Sequence, residues 1–332
     1  MKVKLSLGSA ISLGMMKGRQ SVNPTTLYIM LGAQCANNCT FCTQAQESSA
    51  GKDRLSRVVW PEFEWDDFLE HLKMSQTAKV GTGSGNAAES ISLEFKRTCF
   101  QTLSYPGMVE ELAGCISQLS GLGIKTSAAV RPMDENEMAV LRNAGLDRIG
   151  ISLDGASREI FDAVKGANAG NAYTWDRHLT SLELASRIFP GRTSTHLIIG
   201  MGESDENVLD IIKWCSAKDI KLALFAFTPF PGIRAKFSPP DLARYRTLQA
   251  VRWLLLDKRE KAGGISTADG RISGISEMAV VDPDAFRTSG CPSCNRPFYN
   301  EKVSGPLFNF PRRVSPDEHA EAINLIRDYL GR

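Results

Sequence analysis

Short apolar runs alternate with polar, helix-periodic stretches along most of this chain. Residues 26–32 (TLYIMLG), 91–98 (ISLEFKRT), 124–130 (IKTSAAV), 148–153 (RIGISL), 195–199 (THLII) and 222–227 (LALFAF) read as strands. Most are bounded by Gly or Pro, as strands buried on both faces of a parallel sheet should be. Between them, residues 106–122 carry apolar positions at 109, 112, 116, 119 and 122, a helical period, with Pro106 near the start. Residues 135–143, 175–188, 206–217 and 240–261 behave alike, and Ser204 or Asp205 would cap the helix at 206. Six strands alternating with helices predict an α/β fold, a (β/α)6 partial barrel of the TIM type or a closed relative. The first crossover is the exception, with a helix expected over 62–79 and a flexible GTGSG stretch at 81–85. The tail past Gly290 is rich in Pro (292, 297, 306, 311) and reads as irregular chain closed by a helix at 316–330. The expected organisation is an N-terminal extension (1–25), a barrel (26–262) and a C-terminal segment (263–332).

Composition narrows the class. With 332 residues, 42% hydrophobic and 23% charged, the chain can bury a sizeable core. A net charge of +2 gives no electrostatic reason to expect nucleic acid or an anionic membrane as partner. Gly8, Ser9, Ser12 and Gly14 interrupt the apolar start, so no signal peptide is expected, and no apolar run is long enough to span a bilayer. Three of the eight cysteines fall within eight residues. That suits a metal cluster better than a disulfide framework, and implies a reducing cytoplasm.

Those three are Cys35, Cys39 and Cys42, spaced C-x3-C-x2-C directly after the first strand. Three thiolates around a cubane leave one iron open to a substrate or cofactor. A zinc site lacking its fourth ligand is the alternative. The spacing, with Phe41 before the last cysteine, resembles the radical SAM superfamily. The resemblance implies a (β/α)6 partial barrel with a 4Fe–4S cluster at its carboxyl end. It implies that S-adenosylmethionine (SAM) chelates the open iron and is cleaved to a 5′-deoxyadenosyl radical. The electron would come from an external donor such as ferredoxin or flavodoxin. Further stretches match the family. Ile198, Gly200 and Glu203 (IIGMGE) resemble the element that lines the adenine. Ser152 and Asp154 stand where biotin synthase has an NLD segment that holds the ribose. Arg177 or His178 stands where related enzymes place an arginine for the SAM carboxylate. Residues 143–147 (NAGLD) and 55–61 (LSRVVWP) also resemble biotin and lipoyl synthases. The resemblance covers about 26–232 and points to the sulfur-inserting branch.

That branch takes sulfur from an auxiliary cluster. Biotin synthase ligates its own with cysteines from strands two, three and five; here only Cys99 stands in place, with Ser127, Ala128, Ala129 and Ser194 at the other positions. The tail, Ser289-Gly-Cys291-Pro-Ser-Cys294-Asn-Arg296-Pro297, instead resembles two-component lipoyl synthases, in which two paralogues share one reaction. The resemblance makes Cys99, Cys291, Cys294 and Ser289 ligands of a second 4Fe–4S cluster, with a zinc clip on the tail as the alternative. It makes the substrate an octanoyl chain on a lysine of a lipoyl carrier protein or domain, and the partner a paralogous second lipoyl synthase subunit. Phe225, Phe227 and Phe230 could line an acyl channel, although core packing is the commoner fate. Arg296 and Arg312 could contact the carrier or the cluster, with plain surface charge the slightly favoured reading, and Cys115 and Cys215 read as core. Two other functions stay open: a radical SAM enzyme whose second cluster is no sulfur donor, and a non-catalytic partner that delivers a cluster.

Overall fold

The computed structural model describes residues 1–77, 95, 97–260, 262–276 and 278–331. In chain order the strands are β1 (Lys2–Leu5), β2 (Thr26–Leu31), a small ribbon of β3 (Arg54–Leu55) and β4 (Val58–Val59), β5 (Glu62–Glu64), β6 (Arg97–Thr102), β7 (Thr126–Val130), β8 (Arg148–Ile151), β9 (Thr193–Ile199), β10 (Lys221–Ala226), and a hairpin of β11 (Ile265–Ala268) and β12 (Arg271–Ile275). The main sheet runs β10-β9-β8-β7-β6-β2-β1-β5. Its six strands from β2 to β10 are parallel neighbours in chain order. Among the described residues strand β10 pairs only with β9, which leaves the barrel open along one side there.

The helices are α1 (Leu7–Ser12), α2 (Trp65–Thr77), α3 (Met108–Gly121), α4 (Glu135–Asn143), α5 (Arg158–Val164), α6 (Trp175–Ile188), α7 (Asp205–Ala217), α8 (Leu242–Arg252) and α9 (Pro316–Leu330). Helix α3 buries Met108, Val109, Leu112, Cys115, Ile116 and Leu119, the face its period predicts. Ser204 is the N-cap of α7 and forms a reciprocal capping box with Asn207. Strand β9 shows what the barrel asks of its strands. Thr193, Thr195, Leu197 and Ile199 are buried against the helices, while Ser194, His196 and Ile198 face the lumen. The lumen is therefore polar in part, and the apolar core is the shell between sheet and helices.

Three expectations shift. The strand expected at 91–98 is set at Arg97–Thr102 by its parallel register with β2, from Thr26↔Arg97 to Leu31↔Thr102. Its inward positions, Cys99 and Gln101, break the apolar run that periodicity looks for; residues 91–94 and 96, like the GTGSG stretch, lie outside the described residues. The helix expected from 62 begins at Trp65, because Glu62–Glu64 pairs with β1. The helix expected over 240–261 is α8 followed by a π turn, Trp253–Asp257.

Both ends of the chain join the barrel. The N-terminal segment supplies β1, antiparallel to β2, and buries Val3, Leu5, Ala10 and Leu13. At the other end Tyr329 on α9 donates to Asp205 Oδ2 at 2.6 Å. The irregular tail is tied across the barrel's amino end. Thr25 N donates to Asn295 Oδ1 at 3.1 Å, and Asn295 Nδ2 donates to the Asn23 carbonyl at 2.9 Å. Asn300 Nδ2 donates to Thr228 Oγ1 at 3.0 Å, spanning the open side. Among the described residues no helix is long and apolar enough to cross a membrane.

Candidate active site

The loop after β2 leaves the strand through Gly32, whose φ of +102° is open to glycine; a Cβ there would lie 2.5 Å from the Tyr105 ring. This loop sets Cys35, Cys39 and Cys42, with Phe41, on the wall of a cavity at the carboxyl ends of the strands. Amide groups surround the sulfurs. Gln44 N lies 3.4 Å from Cys42 Sγ, and Asn171 Nδ2 lies 3.8 Å from Cys39 Sγ. Burial pushes the Cys39 thiol up, against the pull of Lys165, and pushes Cys42 up to about 11. Such thiols keep their protons until a metal centre displaces them. Among the described residues no three His, Cys, Asp or Glu side chains are gathered to hold a single metal ion. A cubane takes its ligands at separate corners, so three thiols on one loop suit it better than one ion.

Ser152, Asp154 and Ile198 line the same cavity. Asp154 follows the end of β8 with φ +65° and bridges to Leu197. Lys165 Nζ lies 2.6 Å from its Oδ2 and 2.9 Å from Ser152 Oγ, and His196 Nε2 lies 2.8 Å from Oδ1. Burial alone would raise the Asp154 carboxyl; Lys165 and then His196 outweigh it and hold the group ionised, well below the usual carboxylate range. Arg131, paired with Glu137 at 2.5 Å, adds a second cation to the wall. The mouth thus offers a buried carboxylate, a hydroxyl and two cations beside the three thiols, a donor set that fits a zwitterionic nucleoside such as SAM.

Four residues read as SAM contacts stand elsewhere. Arg177 is exposed on the first turn of α6, which Thr174 caps by accepting from Arg177 N. His178 is buried edge-on against Phe161 at 4.7 Å and Tyr173 at 5.0 Å, with Nδ1 3.0 Å from the Thr174 carbonyl. Neither lines the cavity; Lys165 occupies the cationic place beside Asp154. Gly200 and Glu203 are also absent from the lining. Glu203 is consumed in holding its own turn, accepting from Gly200 N at 2.8 Å and Met201 N at 2.9 Å and pairing with Arg244 at 2.9 Å.

Deeper in the lumen, toward the amino ends of the strands, Cys99, Cys291, Cys294 and Ser289 line a second cavity. Residues about 190 positions apart meet because the tail folds back beneath the barrel. Cys294 N donates to the Cys291 carbonyl at 3.0 Å. Gln101 Nε2 lies 3.2 Å from Cys99 Sγ, and the Tyr28 hydroxyl 3.4 Å from Cys294 Sγ. Burial pushes the Cys99 thiol up to about 12, opposed by the Arg296 cation. Ser127, on the same wall, stands against the Cys99 and Cys291 thiols, and Arg97 Nε is buried without a hydrogen-bond partner. A buried donor and a cation beside three thiols fit an anionic group with acceptor atoms.

Arg296 borders both cavities and corrects the surface reading. Its guanidinium lies over Phe225 at 5.1 Å, Tyr299 at 5.4 Å and Tyr28 at 5.9 Å. Burial alone would lower its pKa; Cys294 and Cys99 beside it, as thiolates, outweigh burial and raise it. Among the described residues no carboxylate pairs with it. Phe225, Phe227 and Phe230 line the upper cavity. Arg312 is a surface residue, paired with Glu318 at 2.7 Å, and Cys115 and Cys215 are core. Lys165, His196, Arg131, Gln101 and Tyr28 escape the sequence reading. Only Lys165 leaves a trace, as a cation ending the apolar run of a short helix.

A partial barrel with three cysteines on its first loop and a polar lumen defines a cluster-dependent enzyme whose chemistry lies at the carboxyl ends of the strands. The chain belongs to the radical SAM superfamily, whose family model matches residues 29–215. Membership implies a 4Fe–4S cluster and SAM. The chain is 21% identical over 277 residues to GTP 3′,8-cyclase 2 of Pseudomonas aeruginosa, covering 82% of this chain and 75% of that one. It is 20% identical over 181 residues to the biotin synthase of Persephonella marina, covering 53% of this chain and 46% of that one. The fold matches the crystal structure of HydG, a maturase of the FeFe-hydrogenase, with a TM-score of 0.50 at 11% identity, covering 71% of this chain and 52% of that one.

Proposed function

We propose that the chain is a radical SAM sulfurtransferase, one subunit of a two-component lipoyl synthase, that replaces a C–H bond by a C–S bond on an octanoyl chain. The chain would be carried on a lysine of a lipoyl carrier protein or domain. A paralogous subunit would share the reaction, and a ferredoxin or flavodoxin would supply electrons. The observation that carries this reading is the gathering of Cys99, Cys291 and Cys294 at one end of a lumen whose other end holds Cys35, Cys39 and Cys42.

When bound, a 4Fe–4S cluster at the upper triad, SAM and a lower 4Fe–4S cluster would supply the radical and the sulfur. The chain's own residues position and exclude. Lys165 and Arg131 would receive the SAM carboxylate, and Ser152 and Asp154 its ribose hydroxyls. Phe225 and Arg296 separate the two ends, so a substrate carbon placed between them faces both. Arg296 balances the charge of a thiolate-held cluster. Ser289 stands on the lower wall as a candidate further ligand.

The test is mass spectrometry of an octanoyl-lysine peptide incubated with the reduced, reconstituted protein and SAM, with and without the paralogue. One added sulfur with this chain alone supports the half-reaction. The GTP 3′,8-cyclase relatives favour a second reading, in which the lower cluster is not spent; an unmodified peptide alongside SAM cleavage would move the assignment there.

A further inference from the structure

A third cavity opens through the side of the barrel, between α1, residues 19–24 and the tail at 296–303. Its volume is about 200 Å³, narrower than the ~300–1,000 Å³ of drug-sized ligand pockets and suited to a slim ligand. The wall is apolar: Leu7, Ile11, Val22, Val58, Trp60 and Phe298 contribute to it. It is a fixed wall. Gln20 Nε2 donates to Ser12 Oγ at 2.9 Å, tying the 19–24 segment to α1, and Arg296 N donates to the Tyr28 hydroxyl at 2.9 Å, tying the tail to β2. The inner end is formed by Gln101, Arg296 and Tyr299, which also line the upper cavity, and by Tyr28, whose hydroxyl reaches Cys294. The opening thus ends on the same three side chains that line the lumen. It arrives between the two groups of thiols rather than over the upper one.

Resting on the sulfur-insertion reading, we infer that this lateral opening is the acyl site: a medium-length aliphatic chain enters tail-first and presents its distal carbons at Gln101 and Arg296. The wall selects this ligand class. Its charged groups are the exposed Arg19 at the rim and Arg296 at the inner end, too few for a nucleoside triphosphate, whose phosphates call for clustered cations. Trp60, 2% exposed, backs the apolar wall. An acyl chain brings only the single amide at its proximal end, so its methylenes match a wall that offers almost no polar groups.

The experiment is photocrosslinking of the full-length, anaerobically reconstituted protein with an octanoyl-lysine peptide carrying a diazirine at the distal end of its chain. Label mapped to peptides containing Tyr28, Gln101 or Arg296, and competed by unlabelled octanoyl-lysine peptide, is the expected result. Two substitutions in separate elements, Ile11→Trp and Val58→Trp, fill the opening and should each cut the label by about tenfold. Both should leave substrate-free SAM cleavage within about twofold, which shows the fold intact. Label confined to Phe41 or Phe230 at the upper mouth, or label unchanged in both filled variants, overturns the site. Lateral label without any sulfur product would keep this site and sink the sulfur-insertion reading. Sulfur product with label only at the upper mouth would do the reverse.

Discussion

The two ends of the lumen are built on opposite electrostatic plans. Around the triad the charges are paired: Asp154 is held by Lys165 and His196, and Arg131 by Glu137. At the amino end Arg97 is paired with Asp147 at 2.5 Å, but Arg296, stacked on three aromatic rings beside the thiols, has no carboxylate partner among the described residues. Paired charges make a stiff receptor for a ligand that brings both signs itself. Unpaired positive charge makes a socket for an anion. On the proposed reading, the difference suits one end to SAM and the other to a thiolate-ligated cluster.

That contrast can be broken one end at a time. The largest effect belongs to the triad: Cys39→Ala or Cys42→Ala should cut SAM cleavage by roughly 10³-fold or more, read as 5′-deoxyadenosine formed. Cys291→Ala should leave substrate-free cleavage nearly unchanged while removing the sulfur product. Equal loss of cleavage in both variants would erase the division of labour. Next comes Lys165→Met. It leaves Asp154 with His196 alone in a buried site and should cost about 3–5 kcal/mol in denaturant unfolding. It should also raise the SAM concentration needed for half-maximal cleavage. Arg296→Leu should lower lower-end iron retention and sulfur transfer by roughly 10–100-fold, with upper-end iron unaffected. Arg296→Lys keeps the charge without the planar stack and should restore part of it.

The smallest effect is a pH dependence. Burial, then the Lys165 cation, lowers the His178 pKa to about 3. An unfolded histidine titrates near about 6.5, so below that the unfolded chain binds a proton that the folded chain refuses. This contribution is fully present above pH ~6.5 and is lost as pH falls, by about 2 kcal/mol between pH 7 and pH 5. His178→Phe keeps a ring against Phe161 and Tyr173 and should flatten that limb of the stability curve. Identical limbs for the two proteins would mean that His178 takes its proton in the folded state.

How far the sequence could be read follows the same division. The upper triad is local: three cysteines in eight residues after a strand form a compact pattern, and short apolar runs between helices placed it at a barrel mouth. The receptor around it was harder. Arg177 and Glu203 sit at plausible offsets, yet one faces solvent on a capped first turn and the other is spent on Gly200, Met201 and Arg244. Lys165 and His196 lie in unremarkable stretches, and their role exists only once α5 and β9 are packed around Asp154. The lower end depends on chain folded back over about 190 residues. Cysteine inventory could nominate Cys99, Cys291 and Cys294, but a cluster contact and surface charge were both open for Arg296 without the tail's course across the barrel's amino end.

The central claim is that each end of the lumen holds its own cluster. Iron content of the anaerobically reconstituted protein measures it directly. The account predicts about eight irons per chain (two cubanes), about four in Cys35→Ala/Cys39→Ala/Cys42→Ala and about four in Cys291→Ala/Cys294→Ala. About four irons in the unmodified chain, unchanged by the tail substitutions and gone with the triad, would contradict it.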